Sequence, residues 1–88
     1  MRFPLGRIVA TPGALRLLEQ TGTLPTALLA RHVAGDWGNV PPEDAKENEV
    51  SVDNGFRVLS SYTLGDETLW VITEADRSVT TLLRPDEY

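Results

Sequence analysis

The sequence predicts an α+β domain, a three-stranded antiparallel meander that an N-terminal strand can extend to four, covered by two or three short helices. Three observations lead to this prediction. The first half of the chain contains three segments that begin at proline and continue with a helix-like pattern. From residue 56 onward the apolar residues alternate with polar ones instead, which is typical of strands. The chain has 88 residues, enough for one domain spanning residues 1–88.

The first helix has clear start and stop signals. Residues 6–10 (GRIVA) precede it and are a candidate for a short strand. Thr11 offers a side-chain oxygen as N-cap, and Pro12 suits the first helical position because its missing N–H would have no helical partner there. Gly22 ends the helix. Its apolar face is expected to contain Ala14, Leu15, Leu17 and Leu18.

Two further helices follow the same pattern. The second begins at Pro25 and continues to Gly35. The third covers residues 43–54, after a Pro-Pro pair, and is closed by Gly55. Because few of its residues are apolar, most of the third helix is expected to face water.

The C-terminal part of the chain predicts the meander. The first strand begins at Phe56 and places Phe56, Val58, Tyr62 and Leu64 on one face. The second, residues 68–74, is apolar on both faces and is therefore expected to be internal in the sheet. The third covers residues 79–83. The short connections favour antiparallel neighbours.

Charge is divided unevenly along the chain. Residues 1–40 sum to +2, whereas residues 41–88 sum to −7, which gives a net charge of −5. Such a field attracts basic surfaces and repels nucleic acid. We therefore expect a protein partner with a basic surface and no direct binding of nucleic acid. The residues expected to contact the partner are Glu43, Asp44, Glu47, Glu49, Asp53, Asp66 and Glu67.

The acidic third helix has a second interpretation as a solvated face that only keeps the protein in solution. No cofactor or metal is predicted, since the sequence has no cysteine, no phosphate-binding loop and no cluster of metal ligands. No apolar stretch approaches the ~20 residues of a membrane span. The expectation is a cytoplasmic, non-enzymatic protein, either monomeric or homodimeric.

Enzyme chemistry has one set of candidate residues. His32 is the only histidine, and residues 74–78 contain Glu74 and Asp76 beside Arg77. A small hydrolase could use the histidine and both carboxylates. The structural alternative is favoured: Asp76 would form a turn through its own backbone, and Glu74 or Asp76 would pair with Arg77 at the surface.

Three stretches of the chain together resemble a known group of proteins. They are residues 9–15 (VATPGAL), 30–38 (ARHVAGDWG) and 71–83 (VITEADRSVTTLL). They are similar to a family of small bacterial proteins found largely on plasmids and other mobile elements, usually labelled plasmid-related or type I restriction subunit M. The resemblance spans most of the chain, and the last stretch is its most specific part. It implies a setting, because genes carried by mobile elements often act against host defence.

The sequence does not support the methylase label of that family, because it lacks the motif that an amino-methyltransferase needs. Asn39-Val40-Pro41-Pro42 departs from the Asn-Pro-Pro-aromatic motif of amino-methyltransferases, because Val40 intervenes and Glu43 stands at the aromatic position. Small size, the absence of a catalytic constellation, the acidic second half and this resemblance lead to the main hypothesis. It is an inhibitor of a bacterial defence system, of the anti-CRISPR or anti-restriction kind, that contacts a nuclease or a CRISPR effector component. The alternative is a plasmid-maintenance, antitoxin-like or regulatory interaction protein.

Overall fold

The computed structural model describes all 88 residues and confirms the predicted α+β class. None of its helices combines the length and the apolar character that crossing a membrane requires. The elements in chain order are β1 (Arg7–Ala10), α1 (Pro12–Thr21), α2 (Pro25–Val33), α3 (Pro42–Asn54), β2 (Val58–Leu64), β3 (Glu67–Thr73), β4 (Val79–Leu83) and a short 3₁₀ turn (Pro85–Glu87).

The four strands form one sheet in the order β1-β4-β3-β2. Strands β2, β3 and β4 are antiparallel neighbours, which confirms the meander. Strand β1 joins it as the fourth strand and runs parallel to β4, with Arg7 beside Val79 and Ala10 beside Leu82. Strand β3 is internal, as its apolar character on both faces predicts.

Gly6 allows β1 to lie beside β4. Its φ is +65°, in the left-handed region that favours glycine. A Cβ at this position would also collide with the backbone carbonyls of Arg77 and Ser78. The entry of the chain into the sheet therefore depends on the absence of a side chain at residue 6.

Capping explains where the helices begin and end. The Thr11 hydroxyl accepts a hydrogen bond from a first-turn N–H of α1 at 3.1 Å, as predicted. Gly22 and Gly55 end α1 and α3 in the left-handed conformation, with φ of 65° and 72°. Helix α2 ends in a similar way: after Ala34, Gly35 has a positive φ of 88°, and the N–H of Asp36 bonds back to the carbonyl of Arg31 at 2.9 Å, so Gly35 ends the helix as predicted.

Two groups of buried side chains hold the layers together. The smaller, the aromatic cluster, consists of Phe3, Trp37 and Val58, with Ala45 and Val52 of α3 packed against it. The larger, the main core, lies between the sheet and the first two helices. It consists of Ala14, Leu17, Leu18, Leu28, Tyr62, Leu64, Leu69, Val71 and Leu82.

Two of the residues predicted to lie on apolar faces, Leu15 and Phe56, are exposed, so their predicted placement is wrong. Leu15 is 54% exposed, because it is displaced around α1 from the side that faces the sheet. Phe56 is 56% exposed, because β2 begins only at Val58 and residue 56 does not follow the alternation of the ladder.

Candidate functional site

Helix α3 is attached to the protein along a narrow strip. Glu43 and Asp44 lie in its first turn, where carboxylates interact favourably with the positive end of the helix dipole. Only Asn48 and Ser51 are buried. The prediction that most of this helix faces water is confirmed.

Four carboxylates of α3 have no hydrogen-bond or ion-pair partner in the protein. These residues, which we call the α3 acidic surface, are Glu43, Asp44, Glu47 and Asp53. All four side chains are exposed. Lys46 is the one basic residue of the helix and is likewise unpaired. The charge of this surface is therefore not neutralised by close contacts within the chain.

A shallow groove of about 420 Å³ lies beside this surface, between α3 and the start of β2. Asp44 and Glu47 line one side, and Phe56 and Arg57 line the other. The Arg57 guanidinium donates to the hydroxyl of Tyr88 at 2.6 Å and not to either carboxylate. The groove thus combines two free carboxylates with an exposed aromatic ring.

Glu49 differs from the other predicted contact residues of α3 because it is bonded inside the protein. Its oxygens accept hydrogen bonds from the Arg2 guanidinium at 3.0 and 2.7 Å. One oxygen also accepts from the indole N–H of Trp37 at 3.1 Å. The Arg2 bond, followed by the Trp37 bond, lowers the pKa of the Glu49 carboxyl below its usual range. Glu49 therefore joins the N-terminal segment and the Trp37 loop to α3.

The predicted contact residues at the β2–β3 turn also separate into paired and unpaired groups. Glu67 accepts a hydrogen bond from Arg84 at 2.9 Å, whereas Asp66 has no partner. Nearby, Asp86 accepts from Arg84 at 3.4 Å, and Glu87 accepts from the N-terminus of α1. Most acids at this end of the molecule therefore have structural partners.

Arg77 bonds to backbone carbonyls, so the expected ion pair with Glu74 or Asp76 is wrong. Its guanidinium donates to the carbonyl of Phe56 at 2.7 Å and to that of Ser51 at 2.9 Å. Ser51 lies in the last turn of α3, where the carbonyls form the negative end of the dipole. Arg77 thereby connects the β3–β4 turn to the end of α3.

His32 is fully buried and is hydrogen-bonded at both ring nitrogens. Its Nδ1 lies 2.6 Å from the hydroxyl of Ser60, and its Nε2 lies 2.9 Å from that of Thr73. The Thr73 hydroxyl is 2.7 Å from Thr80, which donates to the carbonyl of Leu5 at 2.7 Å. These groups form one continuous hydrogen-bonded chain, which we call the His32 network.

The direction of these bonds determines the tautomer of the histidine. Because Thr80 gives its single proton to a carbonyl, it must accept from Thr73. Thr73 therefore accepts from the Nε2–H of His32, and Nδ1 accepts from Ser60. Burial, followed by the positive charge of Arg77, lowers the pKa of His32 from 6.5 to about 4. The imidazole is neutral near pH 7.

The hydrolase residues are not brought together. The exposed fraction of His32 is 0%, and neither Glu74 nor Asp76 hydrogen-bonds to it. Asp76 instead accepts from the backbone N–H and the hydroxyl of Ser78, at 3.0 and 2.6 Å, as the structural turn predicts. No group of three or more histidine or carboxylate side chains is placed to hold a metal ion.

Asn48 closes one edge of the sheet, a role that the sequence analysis missed. Its amide donates to the carbonyl of Leu59 at 2.7 Å and accepts from the N–H of the same residue at 3.2 Å. Further along β2, Ser61 exchanges backbone hydrogen bonds with Trp37 and Asn39. Asparagine is unfavourable in the middle of a helix, so its presence at position 48 is a sequence signal that could have indicated a structural role.

Comparison of the chain with protein-family models, with curated proteins and with solved structures finds no match.

Proposed function

We propose that this protein is a non-enzymatic binding protein whose α3 acidic surface contacts a basic surface on a protein partner. The observation that carries the proposal is the difference between paired and unpaired acids. Glu49 and Glu67 have arginine partners within the chain. Glu43, Asp44, Glu47 and Asp53, on a single exposed helix, have none.

Guanidinium groups are the partner chemistry that this surface suits best. A carboxylate can accept two parallel hydrogen bonds from arginine, which adds orientation to attraction. The unpaired charges also speed association over long range, an effect that salt weakens. Phosphates would be repelled, whereas arginines that normally bind phosphates would be attracted.

The groove beside α3 is the proposed position at which an arginine of the partner binds. An arginine entering it would meet Asp44 and Glu47 and the ring of Phe56, while Arg57, which also lines the groove, is bonded to the hydroxyl of Tyr88. Phe56 is 56% exposed, so its face can contact a guanidinium in a cation–π interaction. Such a contact would account for an exposed aromatic residue next to an acidic helix.

The biological setting follows from the resemblance to mobile-element proteins. We infer an inhibitor of a bacterial defence system, anti-CRISPR or anti-restriction, that acts in the bacterial cytoplasm. It would occupy the nucleic-acid-binding groove of a nuclease or of a CRISPR effector component. The alternative role, a plasmid-maintenance, antitoxin-like or regulatory partner, would use the same surface on a different protein.

The test compares two double variants with equal changes in net charge. Asp44→Lys/Glu47→Lys reverses the groove, and Glu19→Lys/Glu74→Lys reverses two carboxylates that are also unpaired but lie elsewhere. Phage plating on strains that carry a CRISPR or restriction system measures inhibition. The groove variant is expected to lose inhibition, and the control is expected to retain it. Equal behaviour of the two variants would contradict the proposed surface.

Capture from bacterial extract followed by mass spectrometry then separates the two biological roles. A defence nuclease or effector subunit retained by the unmodified protein and lost with the groove variant supports inhibition. A plasmid-partition or toxin protein with the same dependence supports the alternative. Thermal unfolding must accompany both assays, because lysine at position 44 opposes the helix dipole and is expected to cost about 0.3–1 kcal/mol.

A further inference from the structure

The two edges of the sheet differ in whether their backbone groups are paired. The β2 edge is closed along most of its length, because Leu59 and Ser61 bond to Asn48 and to the Trp37 loop. The β1 edge has neither a neighbouring strand nor an isolated bridge. An open edge is a template for pairing with another strand.

The free groups of the β1 edge can be identified from the ladder. Arg7 and Thr11 each donate a backbone N–H toward β4, both at 3.0 Å. Because the bonds of a ladder alternate along a strand, the N–H and C=O groups of Ile8 and Ala10 point away from β4. The Ile8 side chain is also 43% exposed, which indicates that no neighbouring segment covers this part of the edge.

We propose that β1 pairs with β1 of a second copy of this chain, antiparallel across a two-fold axis. Ile8 then lies opposite Ala10 of the second copy, and the two Val9 residues lie opposite each other at the axis. This register joins the outward backbone groups of both copies in four hydrogen bonds. The two sheets become one continuous eight-stranded sheet.

Charge complementarity favours a second copy as the occupant. The same register places Arg7 opposite Thr11 of the second copy. The Thr11 hydroxyl donates to the Glu87 carboxylate at 2.6 Å, so this carboxylate lies at that end of the strand. Arg7 has no ion-pair partner within its own chain. The antiparallel pair therefore brings each free guanidinium toward a carboxylate of the other copy.

The closed β2 edge limits the assembly to two chains. Each copy has a single open edge, and pairing uses it, so no filament can grow. Helix α3 packs beside β2, at the far side of each sheet. With strands about 4.8 Å apart, the two β2 strands lie roughly 34 Å from each other. That separation exceeds the Debye length of about 8 Å at physiological salt, so the acidic helices do not oppose pairing.

Sedimentation equilibrium of the full chain over a range of concentrations tests this proposal. The expected mass approaches twice the 9.7 kDa of the chain. Ile8→Pro removes the outward N–H of that residue but not the N–H groups of Arg7 and Thr11 that bond to β4, and it is expected to return the mass to that of one chain. A single-chain mass for the unmodified protein at every concentration, or a dimer that survives Ile8→Pro, would overturn the proposal.

Two matched pairs of variants keep the test independent of misfolding. Ile8→Lys is expected to abolish the dimer, whereas Leu15→Lys, at a comparably exposed apolar residue on α1, is expected to leave it intact. Arg7→Glu is expected to weaken it at least tenfold in dissociation constant, whereas Lys46→Glu, with the same change in charge on α3 at the far edge, is not expected to weaken it. If each pair responded equally, the β1 interface would be wrong.

Hydrogen exchange measured by NMR locates the interface directly. The amides of Ile8 and Ala10 are expected to exchange more slowly as the protein concentration rises, because they become bonded only in the dimer. Exchange that stays fast in a sample of dimeric mass would assign the dimer to another surface and overturn the proposal. The outcome does not depend on the α3 acidic surface, which lies at the other edge.

Discussion

The main core and the His32 network occupy the same small protein but are stabilised differently. The main core consists of nine buried residues that are almost entirely hydrophobic. In the His32 network, His32, Ser60, Thr73 and Thr80 are all 0% exposed. No buried side-chain nitrogen or oxygen in the protein lacks a hydrogen-bond partner. The comparison shows that a domain of this size can bury polar groups next to apolar ones when each is satisfied.

The two regions should therefore respond to different perturbations. The stability that comes from buried apolar side chains depends on how well they fill the core, and it is nearly independent of pH. The stability that comes from a buried hydrogen-bonded network depends on whether every polar group has a partner and on which groups are protonated. Two predictions test this difference, and a third tests the contact between α3 and β2; they follow in order of decreasing effect.

The largest effect is expected from a cavity in the main core. Leu69 is completely buried, so Leu69→Ala removes packed methyl groups and is expected to lower the free energy of unfolding by about 2–5 kcal/mol. Urea unfolding at pH 7 measures this loss. Leu15→Ala, at an exposed position of α1, should cost about 0.5 kcal/mol or less. Similar losses for the two variants would contradict the assignment of the main core.

The second prediction concerns pH and the His32 network. The pKa of His32 is about 4 in the folded protein and 6.5 when the group is exposed, so the unfolded state binds the proton more readily between these values. Stability is therefore complete above pH 6.5 and falls as the pH is lowered toward 4. At about 1.4 kcal/mol per pKa unit, the loss is roughly 3 kcal/mol. Urea unfolding at several pH values measures it.

A variant without the imidazole isolates this effect. His32→Gln is expected to be less stable at pH 7 but to lose the dependence on pH between 6.5 and 4.5. Leu69→Ala should keep that dependence, because it changes only the main core. Glu49 and Glu87 do not interfere, since their pKa values are lowered from 4.5 and their contribution is lost only at lower pH. A sloping curve for His32→Gln would assign the titration to another group.

The smallest effect is expected where α3 meets β2. Asn48→Ala removes two hydrogen bonds to Leu59 but introduces a better helix former. The free energy of unfolding is therefore expected to fall by about 1 kcal/mol. Thermal unfolding measures the loss, and hydrogen exchange of the Leu59 amide locates it. Asn54→Ala removes only an exposed bond to Val50 and serves as the control. An unchanged Leu59 amide would show that the contact between α3 and β2 does not depend on Asn48.

Local signals predicted most of the fold. Thr11 with Pro12 marked the start of α1, and Gly22 and Gly55 marked two helix ends, because capping involves only neighbouring residues. The change from helical to alternating periodicity likewise separated the helices from the meander. The pairing of β1 with β4 was left open, because a parallel ladder joins residues more than 70 positions apart, such as Arg7 and Val79.

The candidate site also has features that local sequence signals predict and features that depend on distant contacts. The sequence by itself determined that Glu43, Asp44 and Glu47 lie on an exposed helix, since composition and helix signals are local. Only the tertiary structure decided that Glu49 is bonded to Arg2, which is 47 residues away. It also decided which carboxylates remain free, because an ion pair forms wherever folding brings opposite charges within reach, and no local pattern records that distance.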